Sequence, residues 1–286
     1  MVVLFVMSSV LILGGCKKEN STSIGETFEL IYEYDGLARE YILYLPGSVY
    51  KDAPLIFVFH KYTGSAEDIM AYTNFMCLAD QYGFVLCYPQ GFKDNMGMSH
   101  WNANLAMSDV DDIGFITALA DELVDVYALD SNRVFACGFS NGGFMSYTLA
   151  MHANETFRAV ASVAGIMSGY DWEHRYEAMS IPVLHVHGTA DWFVLPDGRM
   201  MIIGGWGGAP EVREVVEFWA EINGADEAEA DEISDLTTAY YYKNGKDGNE
   251  VWYYEIEGYG HEWPMKGVNA DFEGAELIWE FFSQYK

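Results

Sequence analysis

The chain has 286 residues, 51% apolar and 20% charged, which is the composition of a folded protein of one large or two small domains and not of a disordered one. Its 15 Lys and Arg stand against 43 Asp and Glu, a formal net charge of −28. That balance argues against a nucleic-acid ligand, whose phosphates need cations to displace counterions, and against docking on anionic lipid through a polybasic face. The 28 glycines have no period, and 4 cysteines are too few for a disulfide-dense scaffold.

Residues 2–13 (VVLFVMSSVLIL) are apolar and uncharged, too short to cross a bilayer comfortably but right for the apolar part of a signal peptide. Leu13-Gly14-Gly15-Cys16 follows at once. It resembles a bacterial lipobox, whose small residues fit the peptidase and whose cysteine takes a diacylglycerol. A secretory signal with an incidental cysteine, or a buried strand, is the other reading. The expected organisation is a signal peptide over 1–15, lipidated Cys16 with a polar tether over 16–25, and a folded domain over 26–286. The product is an exported lipoprotein, periplasmic or at the cell surface, held to a membrane through Cys16. Of the remaining cysteines, Cys77, Cys87 and Cys137 sit in apolar stretches and are expected as small buried hydrophobes.

TFELIYEY (27–34) and EYILYLP (40–46) flank Asp35-Gly36 and predict an opening hairpin. PLIFVFH (54–60) is a continuous apolar run, the mark of a buried parallel strand. A helix is expected over 66–82, a strand at FVLCYP (84–89), and a long loop over 91–108. An amphipathic helix over 110–127 is capped by Ser108 or Asp109, and Asp111-Asp112 fits a solvated or capping helix start. RVFACGF (133–139) is a strand running into a helix from Gly142. FRAVASVAG (157–165) and IPVLHVHG (181–188) are further buried strands. EVREVVEFWAEING (211–224) is a helix ending on glycine. TAYYYK (238–243) and VWYYEIEG (251–258) are strands around a turn, and residues 271–284 form the closing helix. Apolar strands separated by helices predict a mainly parallel sheet covered on both faces, with ligands outside the carboxyl ends of the strands.

Gly138-Phe139-Ser140-Asn141-Gly142 is G-x-S-x-G placed between a strand and a helix, the context of a nucleophile elbow in an α/β-hydrolase sheet. The serine sits on a strained turn that exposes its hydroxyl, and the helix behind it aims N–H groups at developing negative charge. Serine needs a base, and in this fold the partners follow in the order Ser, acid, His. His261, directly after VWYYEIEG, is the histidine late enough in the chain. Asp191, just past IPVLHVHG, is the expected acid, with Asp197 second. His185 and His187 share one strand face and fit core or supporting positions better than a metal pair. The oxyanion hole needs two N–H groups. One is the Asn141 amide. The other comes from His60-Lys61-Tyr62-Thr63-Gly64, with Tyr62 first and Thr63 second.

Over roughly residues 40–286 the chain resembles the α/β-hydrolase esterases that join feruloyl esterases, acetylxylan esterases and polyhydroxybutyrate-depolymerase-like proteins. The resemblance rests on His60–Ala66, Leu78-Ala79-Asp80, Tyr88-Pro89-Gln90-Gly91, Trp101-Asn102, Asp111–Phe115, Gly138–Gly143, Val163-Ala164-Gly165, His187–Asp191 and Gly260–Pro264, in that order. It implies Ser140, Asp191 and His261 as the catalytic triad, in agreement with the positional argument. Two departures stand out. Lys61 occupies a place where the family usually has glycine, and Trp192 follows the acid where proline is common.

The implied chemistry is acyl transfer through an acyl-enzyme, with no metal or organic cofactor. Lys61, Thr63, Trp101, Trp192 and Trp263, with Trp206 and Tyr62, are expected on site-side loops as a wall for a hydroxycinnamoyl group or a sugar face. The expected substrate is an acylated plant cell-wall polysaccharide or a small ester. A hydroxybutyrate oligomer is the second reading. A non-catalytic envelope-binding lipoprotein is a third, disfavoured because all three triad residue types are present.

Overall fold

The computed structural model describes residues 25–48, 51–200, 206–225 and 228–285. The signal segment 1–15, Cys16 and all of the tether but Gly25 lie outside them. β1 (Glu26–Tyr34) and β2 (Leu37–Leu45) pair antiparallel across Asp35-Gly36. Both turn residues have positive φ, 48° and 74°, the twist that suits a two-residue hairpin. The chain then alternates: β3 (Leu55–Phe59), α1 (Ala66–Thr73), α2 (Phe75–Tyr82), β4 (Val85–Pro89), α3 (Asp112–Tyr127), β5 (Val134–Phe139), α4 (Asn141–His152), β6 (Ala159–Val163), α5 (Gly169–Glu173) and β7 (Val183–Gly188). It closes with α6 (Val212–Asn223), β8 (Ala228–Glu232), β9 (Thr237–Tyr242), β10 (Val251–Ile256) and α7 (Gly274–Phe282).

Among the described residues these strands form one sheet in the order β1-β2-β4-β3-β5-β6-β7-β10-β9-β8. The six from β4 to β10 run parallel, and antiparallel pairs finish each edge. Strand pleating sends alternate residues to opposite faces. Leu55, Phe57 and Phe59 of β3 therefore pack under α3, α4 and α6, while Ile56 and Val58 pack under α1, α2 and α7. Burial on both faces is what the uninterrupted apolar runs required. β3 lies between the strands that carry Cys87 and Cys137, and both are buried free thiols.

Four expectations need correction. The helix over 66–82 is two helices, broken where Asn74 takes the left-handed conformation (φ 56°, ψ 17°) that asparagine tolerates. The break turns Phe75, Leu78 and Ala79 toward the sheet. The third helix is capped by Asp111, whose Oδ1 accepts the Gly114 N–H at 2.9 Å, and not by Ser108 or Asp109. Asp112 is not solvated. It is buried in an ion pair with Arg39, whose guanidinium lies 3.9 Å over the Phe115 ring. Asp112 Oδ2 also accepts the Asn102 N–H at 2.7 Å, which ties the 100–112 loop to the first hairpin. Cys77 is exposed on α2, outside the core. β8 and α5 were not foreseen.

Candidate active site

Ser140 joins β5 to α4 with φ 55° and ψ −117°, a conformation that an L-residue adopts only under strain. The turn is tight enough that a Cβ on Gly138 would stand 2.4 Å from the backbone of Gly142, and one on Gly142 would stand 2.2 Å from Phe59 O. Neither position admits a side chain. The glycines therefore let strand, turn and helix close on one another and raise the serine hydroxyl at the carboxyl edge of the sheet.

β7 and β10 run parallel and adjacent, so the loops after them emerge side by side. Thr189 N–H donates to Ile256 O at 3.0 Å, Ala190 N–H to Tyr259 O at 3.0 Å, and Gly258 N–H to Thr189 Oγ1 at 2.8 Å. These bonds fix the loop of Asp191 to the loop of His261. Asp191 Oδ2 lies 2.7 Å from His261 Nδ1, and His261 Nε2 lies 2.8 Å from Ser140 Oγ. The other carboxylate oxygen of Asp191 accepts the N–H groups of Phe193 and Val194, both at 2.9 Å. The acid is fully buried and the histidine nearly so, with 10% of its side chain exposed. The imidazole sits between Phe139 and Phe193, each ring 5.1 Å away. Asp197 is elsewhere, on the surface, bonded to Arg199 Nε at 2.7 Å.

After β3 the chain makes a turn in which Gly64 N–H donates to Lys61 O at 2.9 Å, with Thr63 at φ 63°. The Thr63 N–H is used up by Ser99 O at 2.8 Å. Among the described residues the amides of Tyr62 and Asn141 have no protein acceptor. Of the two candidate donors in this loop, Tyr62 is thus the one whose N–H is open.

His60 orients that amide. Its imidazole is buried, and burial lowers its pKa to about 4, so it is neutral. Nδ1–H donates to Lys61 O at 2.7 Å, and Nε2 accepts the Gly91 N–H at 2.9 Å. Holding the Lys61 carbonyl fixes the plane of the Lys61–Tyr62 peptide and hence the direction of the Tyr62 N–H.

Trp101 is completely buried. Its indole N–H donates to His60 O at 3.1 Å, and its ring packs edge-on to Phe59. Trp263 is also completely buried, against Phe75, and its backbone N–H donates to the Tyr72 hydroxyl at 3.2 Å. Neither presents surface to a substrate, so the expectation that they line a substrate wall gives way to packing: each loop folds over its own tryptophan. Trp192 is 69% exposed and stacked on Phe193 at 3.8 Å. Trp206 is half-buried and meets Tyr62 edge to face at 5.8 Å. The Lys61 side chain is exposed. Sequence reasoning missed His60 as a support and Phe139 and Phe193 as the walls of His261. The position of Phe139 directly before the serine was an available signal.

A strained serine at the end of β5, a buried acid after β7, a histidine after the neighbouring β10, and two open amides define an α/β-hydrolase of the serine ester hydrolase class. The chain belongs to the Esterase PHB depolymerase family, whose model matches residues 39–246. It is 31% identical over 247 residues to NocK of Nocardia uniformis subsp. tsuyamanensis, a protein named as an esterase, covering 80% of this chain and 72% of that one. It is 26% identical over 243 residues to feruloyl esterase B of Piromyces equi, covering 82% of this chain but 42% of that enzyme. Its fold is shared with an acetyl xylan esterase from Aspergillus awamori at a TM-score of 0.66 and 18% identity, over 91% of this chain and 99% of that one.

Proposed function

We propose that Ser140, His261 and Asp191 form the catalytic triad and that the enzyme removes feruloyl or acetyl groups from plant cell-wall polysaccharide. The observation that carries the triad is the unbroken line from Asp191 Oδ2 through both nitrogens of His261 to Ser140 Oγ. As Ser140 Oγ attacks the ester carbonyl, its proton passes to His261 Nε2, and Asp191 stabilises the imidazolium through Nδ1–H. The carbonyl oxygen, now negative, takes hydrogen bonds from the Tyr62 and Asn141 amides. Collapse expels the alcohol oxygen, which receives the proton from His261. Water then repeats the sequence on the acyl-enzyme and frees the acid. No metal or organic cofactor enters any step.

The substrate reading is supported by the names of relatives and by the aromatic rim of Trp192, Phe193, Trp206 and Tyr62, which suits a planar acyl group or a sugar face. The family description favours a second reading, hydrolysis of hydroxybutyrate oligomers. We further propose, from residues 2–16, an exported protein anchored through a lipid on Cys16, with the catalytic domain over 26–286. No helix among the described residues is long and apolar enough to cross a membrane. Methyl ferulate, acetylated xylan and short hydroxybutyrate oligomers assayed side by side test the substrate. Highest kcat/KM on either of the first two supports the first reading, and highest on the third supports the second. Metabolic labelling with a radioactive fatty acid, lost in Cys16→Ala, tests the anchor.

A further inference from the structure

Three buried polar rings beside the site have no part in the steps above. His185 and His187 of β7 and Tyr147 of α4 are at most 1% exposed. They stand in line. The Tyr147 hydroxyl is 2.7 Å from His185 Nδ1, His185 Nε2 is 3.0 Å from His187 Nδ1, and His187 Nε2 is 2.9 Å from Val194 O. The two imidazole planes are 2° apart, as two residues on one face of a strand allow.

The direction of this line is set at its far end. A carbonyl oxygen only accepts, so the His187 proton sits on Nε2. Burial holds both histidines below the ordinary imidazole pKa, so each carries a single N–H. His187 Nδ1 must then accept from His185 Nε2–H, and His185 Nδ1 from the Tyr147 hydroxyl. Any other arrangement of neutral rings leaves two lone pairs or two protons facing each other at some link. The line ends on the turn that carries the acid. Val194, whose carbonyl accepts from His187, gives its own N–H to Asp191 Oδ1 at 2.9 Å. His187 Nε2 also lies 3.5 Å from Asp191 Oδ2, the oxygen that meets His261.

We propose that His187 is a positioning residue for ester hydrolysis: it holds the Asp191–Val194 turn so that Oδ2 faces His261, and Tyr147 and His185 keep it in the one tautomer able to do so. The inference rests on Asp191 being the triad acid. His187 with its proton on Nδ1 would turn a lone pair on the Val194 carbonyl and push the turn away. The carbonyl and the carboxylate belong to one short turn, so that displacement reaches His261.

The test is a double-mutant cycle on kcat and KM. His187→Leu should lower kcat by about 10- to 100-fold, the cost of a displacement near 1 Å, with KM little changed. His187→Gln, whose amide can donate to Val194 O, should recover part of the loss. Tyr147→Phe should show the same kcat-only effect, smaller in size, and it takes the place of His187→Leu in the cycle if that variant does not fold. In an Asp191→Asn background, His187→Leu should change kcat by less than about twofold, because the contact it serves is already lost. Equal fold losses in both backgrounds, or wild-type kcat in both His187→Leu and Tyr147→Phe, would overturn the proposal. Unchanged kcat in Asp191→Asn alone would instead defeat the triad reading and this inference with it.

Discussion

Asn141 and Trp101 hold each other through two hydrogen bonds. The Trp101 N–H donates to Asn141 Oδ1 at 2.7 Å, and Asn141 Nδ2 donates to Trp101 O at 3.0 Å. Since the Trp101 indole in turn holds His60 O, and His60 holds Lys61 O, the Tyr62 and Asn141 amides proposed as oxyanion donors belong to one hydrogen-bonded frame. Asn141→Ala keeps its own amide N–H and removes only the brace. It should lower kcat by about 10- to 100-fold through misplaced donors. It should also cost about 1–3 kcal/mol of stability, because two buried Trp101 backbone groups lose their partner. Asn141→Asp can accept from Trp101 but not donate to it, and it brings a negative charge beside the oxyanion, so its kcat should fall further. Steady-state kinetics and chemical denaturation of both variants check this.

Stability should fall in acid. His60 has its pKa depressed from 6.5 to about 4 by burial, so the unfolded chain takes up the proton first. A group of this kind contributes fully above its unfolded pKa and loses that contribution as pH drops toward the folded value. His185 and His187 shift the same way for the same cause. His152, raised by its hydrogen bond to Asp171, opposes them: its contribution is present at low pH and lost as pH rises through the raised value. Melting temperatures between about pH 8 and pH 4 should therefore decline on the acid side, and His60→Gln should reduce the slope. A melting temperature that is flat or rises across that range would contradict the three-to-one balance of histidines.

Asp191→Asn should lower kcat by about 10³- to 10⁴-fold with little change in fold, because the amide holds the wrong His261 tautomer. Asp197 is exposed and paired with Arg199, so Asp197→Asn should stay within about twofold of wild type. Kinetics of the two variants on one ester check the assignment.

The Lys61 side chain is exposed, and its backbone carbonyl is already held by His60 and Gly64. Lys61→Gly should therefore leave kcat on neutral esters unchanged and raise KM only for esters bearing a carboxylate. A uniform rise in kcat on all esters would mean that the lysine distorts the oxyanion turn.

The strands that run apolar on both faces were legible because burial on two sides leaves no room for alternation, and the elbow was legible because its glycines are forced. Asp191 and His261, the proposed acid and base, were singled out from their places after strand ends, and the structure brings the two side chains together. β8 (AEADE) was not legible: an exposed edge strand needs no apolar residue, and it is joined to β9 by backbone pairing and an exposed ion pair from Glu229 to Lys243. His60 was hidden for a different reason. Its role is set by Gly91 N–H, a contact 31 residues distant. Trp101 and Trp263 were misread because a loop rich in polar residues still needs a core of its own, and these two rings supply it. The break at Asn74 lay within an apolar pattern that periodicity alone reads as continuous.

The nucleophile is tested by reaction of the wild-type protein and Ser140→Ala with p-nitrophenyl acetate, followed by steady-state release and by peptide mass mapping of the quenched enzyme. An acetyl group is expected on Ser140 during turnover and, in the variant, a kcat lower by about 10⁶-fold with the fold intact. Acetylation at another residue, or turnover by Ser140→Ala close to that of the wild type, would contradict Ser140 as the nucleophile.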